Sequence, residues 1–304
     1  MIQKINPVLQ KVYSLLLSEK TRERGERIII GVAILSFVLH LLLIILNDYG
    51  FLSFAKPGKL LNSTIAAIYT PFSFILIYEV YLLVYYLPRS ITTYIGKQYE
   101  IITLIVIRRL FKDLGNLELT PDWFRVQNDL QFTYDLVTTI VLFLLIYLFN
   151  RLNQRRNSTA VKEEALKDGV AVFIRQKKAI AVLLVPTLLI LAVYSFGNWI
   201  YDVFAGASLS VTLKDINSIF FDEFFSLLIL TDVLLLLLSL LHIDKFNTVI
   251  RNSGFIISTI LLRISFSVSG LLNVALIVTA VAFGVIMLAI HNLYESLDNS
   301  EPVS

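Results

Sequence analysis

Five charged side chains interrupt long apolar runs in this chain: Glu79, Arg108, Arg109, Asp232 and Arg263. An unpaired charge at the centre of a bilayer costs roughly 2.5–3.5 kcal/mol on insertion scales. Each of these residues therefore needs a partner or a purpose. Their order suggests acid–arginine pairs, Glu79 with Arg108 or Arg109, and Asp232 with Arg263. Such pairs can lock helices together, or they can line a water-filled path for ions or protons. A second set, Arg89, Lys97, Glu100 and Arg251, falls near the ends of the apolar runs. There Glu100 reads as an interfacial partner of Lys97 or Arg89.

Other chemistry is poorly supplied. The chain has no cysteine, which excludes disulfides, thiolate metal sites and cysteine nucleophiles. His40, His242 and His291 lack a second ligand at metal-binding spacing. His40 reads as a hydrogen-bonded core histidine or a proton-relay group, and the other two as interfacial anchors. No Walker loop, GxSxG, HExxH or Rossmann glycine pattern occurs. The expectation is a protein that is not an enzyme and holds no cofactor or metal.

These charges must be positioned by membrane-spanning helices. The chain is 57% hydrophobic and 16% charged, with a mean hydropathy of +0.76, where soluble proteins are about 45–50% apolar and about 25% charged. Taking about 20 residues per crossing, spans are expected over 28–46, 64–87, 99–117, 133–149, 179–200, 224–242, 253–269 and 271–291. Arg108 and Arg109 interrupt the third. Residues 1–27 read as retained, not as a signal peptide.

Loop charges support this topology. With the N-terminus inside, the cytoplasmic pieces hold 18 Lys/Arg and the outer pieces 5, the bias that orients membrane proteins. Both termini are then cytoplasmic, in a cell (inner) membrane. Residues 2–17 carry apolar residues at helical spacing and read as an amphipathic helix, either in the membrane interface or packed on the bundle. Thr120-Pro121-Asp122 is a helix start, predicting a short outer helix over 121–131. Residues 201–223 read as lying along the outer surface.

The two halves resemble each other. Residues 72–83, FSFILIYEVYLL, align without a gap with residues 225–236, FSLLILTDVLLL. After a one-residue insertion Lys97-Gln98 aligns with Arg251-Asn252, and Arg109 with Arg263. Four spans per half make these parallel repeats. The expected fold is an all-α polytopic membrane protein with about eight transmembrane helices as two parallel four-helix repeats. Its parts are a cytoplasmic amphipathic segment 1–26, a first bundle 27–150, a basic cytoplasmic linker 151–178, a second bundle 179–292 and a short tail 293–304. The linker has little aromatic content, so its expected partner is anionic lipid and not nucleic acid.

Residues 79–107, EVYLLVYYLPRSITTYIGKQYEIITLIVI, resemble the second and third helices of voltage-sensor domains in the voltage-gated ion channel superfamily. Glu79 and Glu100 match that family's acids, with Arg89 and Lys97 between them. The resemblance implies a similar bundle with a second-helix acid facing a basic partner. The fourth and eighth spans lack a sensor's regularly spaced arginines, and no pore loop follows, so voltage sensing is not implied. The expected function is an ion channel or transporter working as an oligomer or complex. The alternative is a non-catalytic membrane subunit that anchors or assembles a larger complex.

Overall fold

A computed structural model describes residues 7–49, 67, 69–114, 117, 127–156, 168–204, 213–241 and 246–298. Among them the chain is helical, with no strand. The helices, in chain order, are α1 (Pro7–Leu16), α2 (Glu19–Asp48), α3 (Tyr69–Tyr86), α4 (Ile91–Leu114), α5 (Gln127–Arg156), α6 (Asp168–Phe204), α7 (Leu213–Leu240), α8 (Phe246–Ser265) and α9 (Leu271–Asp298).

Local chemistry sets several boundaries. Ser18 caps α2, its Oγ accepting from the Thr21 N–H at 3.2 Å. Ser90 caps α4 in the same way through the Thr93 N–H, at 3.1 Å. Such caps satisfy backbone donors that the first helical turn leaves open. Between α8 and α9 the chain turns at Gly270, whose φ of +70° is readily adopted only by glycine.

The helices extend beyond the expected spans. The cap at Ser90 starts α4 well before Tyr99, so most of the expected loop 88–98 is helical. The separate outer helix over 121–131 is not seen as such: residues 127–131 belong to α5, and 121–126 lie outside the described residues. The basic linker 151–178 is largely helix, ending α5 and beginning α6, with 157–167 outside the described residues. Of 201–223, the described ends continue α6 and begin α7. Helix hydrogen bonding does not stop where hydropathy falls, so polar ends simply prolong apolar helices.

Among the described residues, three stretches are long and apolar enough to cross a membrane: Pro7–Asp48, Asp129–Gln154 and Leu271–Leu297. Thr70–Tyr86 and Ser226–Leu240 are shorter apolar helical stretches. The 30 residues of α2 extend about 45 Å at 1.5 Å per residue.

Many large apolar side chains are exposed while several charged ones are buried. Ile28, Ile34, Leu35, Val38 and Ile45 of α2 are all more than half exposed, and so are Ile140, Phe143 and Leu144 of α5. Glu79, Arg108, Asp232, Arg251 and Lys177 are all buried.

The chain divides into two compact units, each drawing on both sequence halves. The first comprises Met1–Tyr85, Ile105–Thr133 and Val182–Phe224. Within it Phe72 stacks on Phe111 at 5.4 Å, and the Tyr81 hydroxyl donates to the Leu16 carbonyl at 2.9 Å. The second comprises Tyr86–Leu104, Tyr134–Ala181 and Phe225–Ser304. Its core gathers Tyr99, Phe149 and Phe255, with ring centroids 5.2 and 5.8 Å apart in sequence. The Tyr99 hydroxyl donates to Ser258 Oγ at 2.8 Å, and Ser258 donates to the Ala280 carbonyl at 2.6 Å. This relay ties α4 to α8 and α9.

Candidate functional site

The first unit holds an ion pair. Arg108 Nη2 donates to Glu79 Oε2 at 2.6 Å, with side chains only 6% and 4% exposed. The link joins α3 to α4, which follow one another across the short segment 87–90. A charge-assisted bond of this length is strong, and each partner supplies the counter-charge the other needs away from water. Arg109 sits one residue further along α4, about 100° round the helix. It is partly exposed and makes its own interactions elsewhere. Of the two arginines the sequence offered, helical phase selects Arg108. In the same unit, His40 Nδ1 lies 2.5 Å from Thr70 Oγ1.

The second unit holds a carboxylate in a different setting. Asp232 of α7 is 3% exposed and does not meet Arg263. Gln98 Nε2 of α4 donates to Asp232 Oδ2 at 3.2 Å. The hydroxyls of Tyr94 and Thr259 flank the same carboxylate. Thr259 gives its proton to the Ile256 carbonyl at 2.9 Å. The Tyr94 hydroxyl is buried against this carboxylate. Arg263 is partly exposed and reaches Ser226 Oγ at 3.5 Å. The expected Asp232–Arg263 pair is thus replaced by neutral groups. The repeat itself explains this. Arg263 aligns with Arg109, the arginine that does not serve Glu79, and the residue aligned with Arg108 is the buried Leu262.

The remaining candidates lie in the second unit. Arg251 is buried, donating from Nε and Nη2 to Asn252 Oδ1 at 3.2 and 3.0 Å. Its Nη1 lies 2.8 Å from His291 Nε2, which is also 3.0 Å from Glu295 Oε1. His291 is therefore a buried member of a polar cluster and not an interfacial anchor; His242 lies outside the described residues. Lys97 and Glu100, both partly exposed, pair at 2.5 Å. Arg89 is exposed, with its guanidinium 5.4 Å from the Tyr86 ring centroid.

Several buried polar residues were not anticipated. Lys177 is 3% exposed and donates to the Arg89 carbonyl; burial pushes its ammonium down to about 8. Asp129 and Asp135 of α5 are wholly buried, both with interacting partners. Gln98 and Tyr94 surround Asp232. Gln98 carried a signal, as one of the polar residues preserved in the internal alignment. Tyr94 did not, because a tyrosine near a helix end reads as an interfacial residue. Among the described residues no group of three or more His, Cys, Asp or Glu could hold a metal ion.

The chain matches no known family, no curated protein and no solved structure.

Proposed function

We propose that this protein is an integral membrane ion channel or transporter, with about eight spans arranged as two parallel four-helix repeats. The observation that carries the reading is Asp232, a buried carboxylate in an apolar helix with only neutral groups around it among the described residues. Ionisable residues in such places are expensive, and they mark ion pathways and proton relays. The exposed apolar faces of α2 and α5 favour a lipid surround, since water would leave that surface unpaired with anything apolar. The loop-charge bias favours cytoplasmic termini, with the basic residues of 151–178 near anionic lipid.

Ion flux in proteoliposomes tests the reading. Wild type should pass at least one cation, anion or proton gradient, and Asp232→Asn should abolish that flux in a folded protein. Silence of the wild type under every gradient would remove the transport reading. It would favour a non-catalytic membrane subunit, for which α1 speaks: it has no buried residue and exposes Val8 and Leu15, a surface suited to an assembly partner.

A further inference from the structure

We propose that the turn between α3 and α4 binds the phosphate headgroup of an anionic lipid, held by Arg89 and Lys97; this rests on the membrane reading and the cytoplasmic placement proposed above. The geometry points to it through a convergence of like charges within the second unit. Arg89 is exposed, with its guanidinium 5.4 Å from the Tyr86 ring centroid. Lys97, in the second turn of α4, brings its Nζ to 5.3 Å from the same centroid. One ring thus carries two cations. The ring attracts each of them, but it does nothing against their mutual repulsion. An anion between them does.

A third cation lies behind the same turn. Lys177 of α6 is 3% exposed and donates to the Arg89 carbonyl. Its Nζ stands 5.2 Å from the Phe173 ring centroid, and among the described residues no carboxylate pairs with it. A buried ammonium without a counter-charge is costly. Glu100 does meet one of the three cations, and it is spent on Lys97. α4 also begins here, behind its Ser90 cap, and a helix N-terminus adds partial positive charge.

The roles follow from exposure. Lys97 has three donors and Arg89 five, so each can hold a phosphate oxygen while keeping its place at Tyr86. Lys177 is too deeply buried to touch the ligand. It is a positioning residue that pins the turn by its carbonyl and adds positive potential from the low-dielectric side. The occupant is a lipid because the turn directly follows the apolar stretch Thr70–Tyr86. That places it at headgroup level, where tyrosines are enriched and basic side chains attract anionic lipid.

The test is native mass spectrometry of the purified full chain in detergent, with phosphatidylglycerol or phosphatidylcholine added in turn. Wild type should retain one phosphatidylglycerol in preference to phosphatidylcholine, and inorganic phosphate should not displace it. Combining Arg89→Gln with Lys97→Gln should weaken that binding about tenfold or more, given the pull of each basic side chain on anionic lipid. Arg27→Gln, which removes an exposed charge from α2, should leave it unchanged. Arg89→Gln alone should show a smaller loss, and it serves as the readout if the double variant fails to fold. Absence of a preference in wild type overturns the proposal, as does an equal loss in Arg27→Gln. Displacement by inorganic phosphate at millimolar concentration overturns the lipid as occupant and leaves a site for a free anion. Loss of the preference in a chain that still needs detergent removes this site and keeps the membrane reading. A chain that stays soluble without detergent removes both.

Discussion

At the scale of single residues, Arg108 and Arg109 share a charge and differ by one position, yet they should behave differently. Removing one partner from a buried ion pair costs about 3–5 kcal/mol, because the survivor stays buried without its counter-charge. Arg108→Ala should cost that much in unfolding free energy measured in detergent micelles, and Arg109→Ala much less. Equal losses would show that the Glu79 pairing is not what holds α3 to α4. Lys177 makes a pH-dependent prediction. Its folded value of about 8 lies below its ordinary 10.5. Between those values the unfolded chain binds more protons, so stability rises with pH. The cost of burying the charge is present in full below about 8 and is relieved as pH approaches 10.5. Wild type should gain unfolding stability relative to Lys177→Met across that window, read as the difference in their denaturation midpoints. The sequence marked Arg108 and Arg109 as a pair of candidates, but it could not choose between them. That choice is a matter of rotation about the helix axis, fixed only when α3 lies against α4.

At the scale of elements, glycines distinguish a packed helix face from an open one. A Cβ built on Gly284 of α9 would run into the Tyr99 hydroxyl and lie 2.8 Å from its Cζ. Tyr99 has little room to retreat, held by Ser258 and edge-on to Phe149. Gly31 of α2 has nothing within 4 Å. Gly284→Ala should therefore lower stability by about 1–3 kcal/mol, as overpacking does. Gly31→Ala should be neutral or raise stability by about 0.5–1 kcal/mol through helix propensity. Thermal unfolding of the two variants side by side checks this, and comparable effects would mean that α4 and α9 do not meet as closely as described. Hydropathy located the helices well, because a long apolar run satisfies its own backbone hydrogen bonds most simply as a helix. Their ends were less legible. The start of α4 depends on a hydroxyl at Ser90, and the start of α6 at Asp168 falls within a run of polar residues where apolar patterning carries no signal.

At the scale of the whole molecule, the testable feature is topology. The chain lacks cysteine, so single cysteines can be introduced without a background. With an even number of spans and cytoplasmic termini, a membrane-impermeant maleimide should label Lys56→Cys in intact cells. Lys20→Cys and Ser296→Cys should react only after permeabilisation. Labelling of Ser296→Cys from outside would require an odd number of spans and would undo the parallel repeat. The internal alignment placed polar residues at matching positions in both halves, but the compact units do not follow those halves. An alignment relates residues along the chain, whereas packing relates helix faces, and faces from distant segments can share a core.

From the sequence by itself came the helical class, the apolar stretches, the absence of thiol chemistry and the short roster of charges set in apolar runs. These depend on composition and local periodicity, which are properties of neighbouring residues. Only the tertiary structure decided what surrounds each charge. It gave Glu79 the guanidinium of Arg108 and gave Asp232 the amide of Gln98, a partner 134 positions away in the chain. The physical reason is that a buried charge is governed by whatever occupies the few ångströms around it. Those neighbours come from other helices, in a rotational phase that no single stretch of sequence encodes.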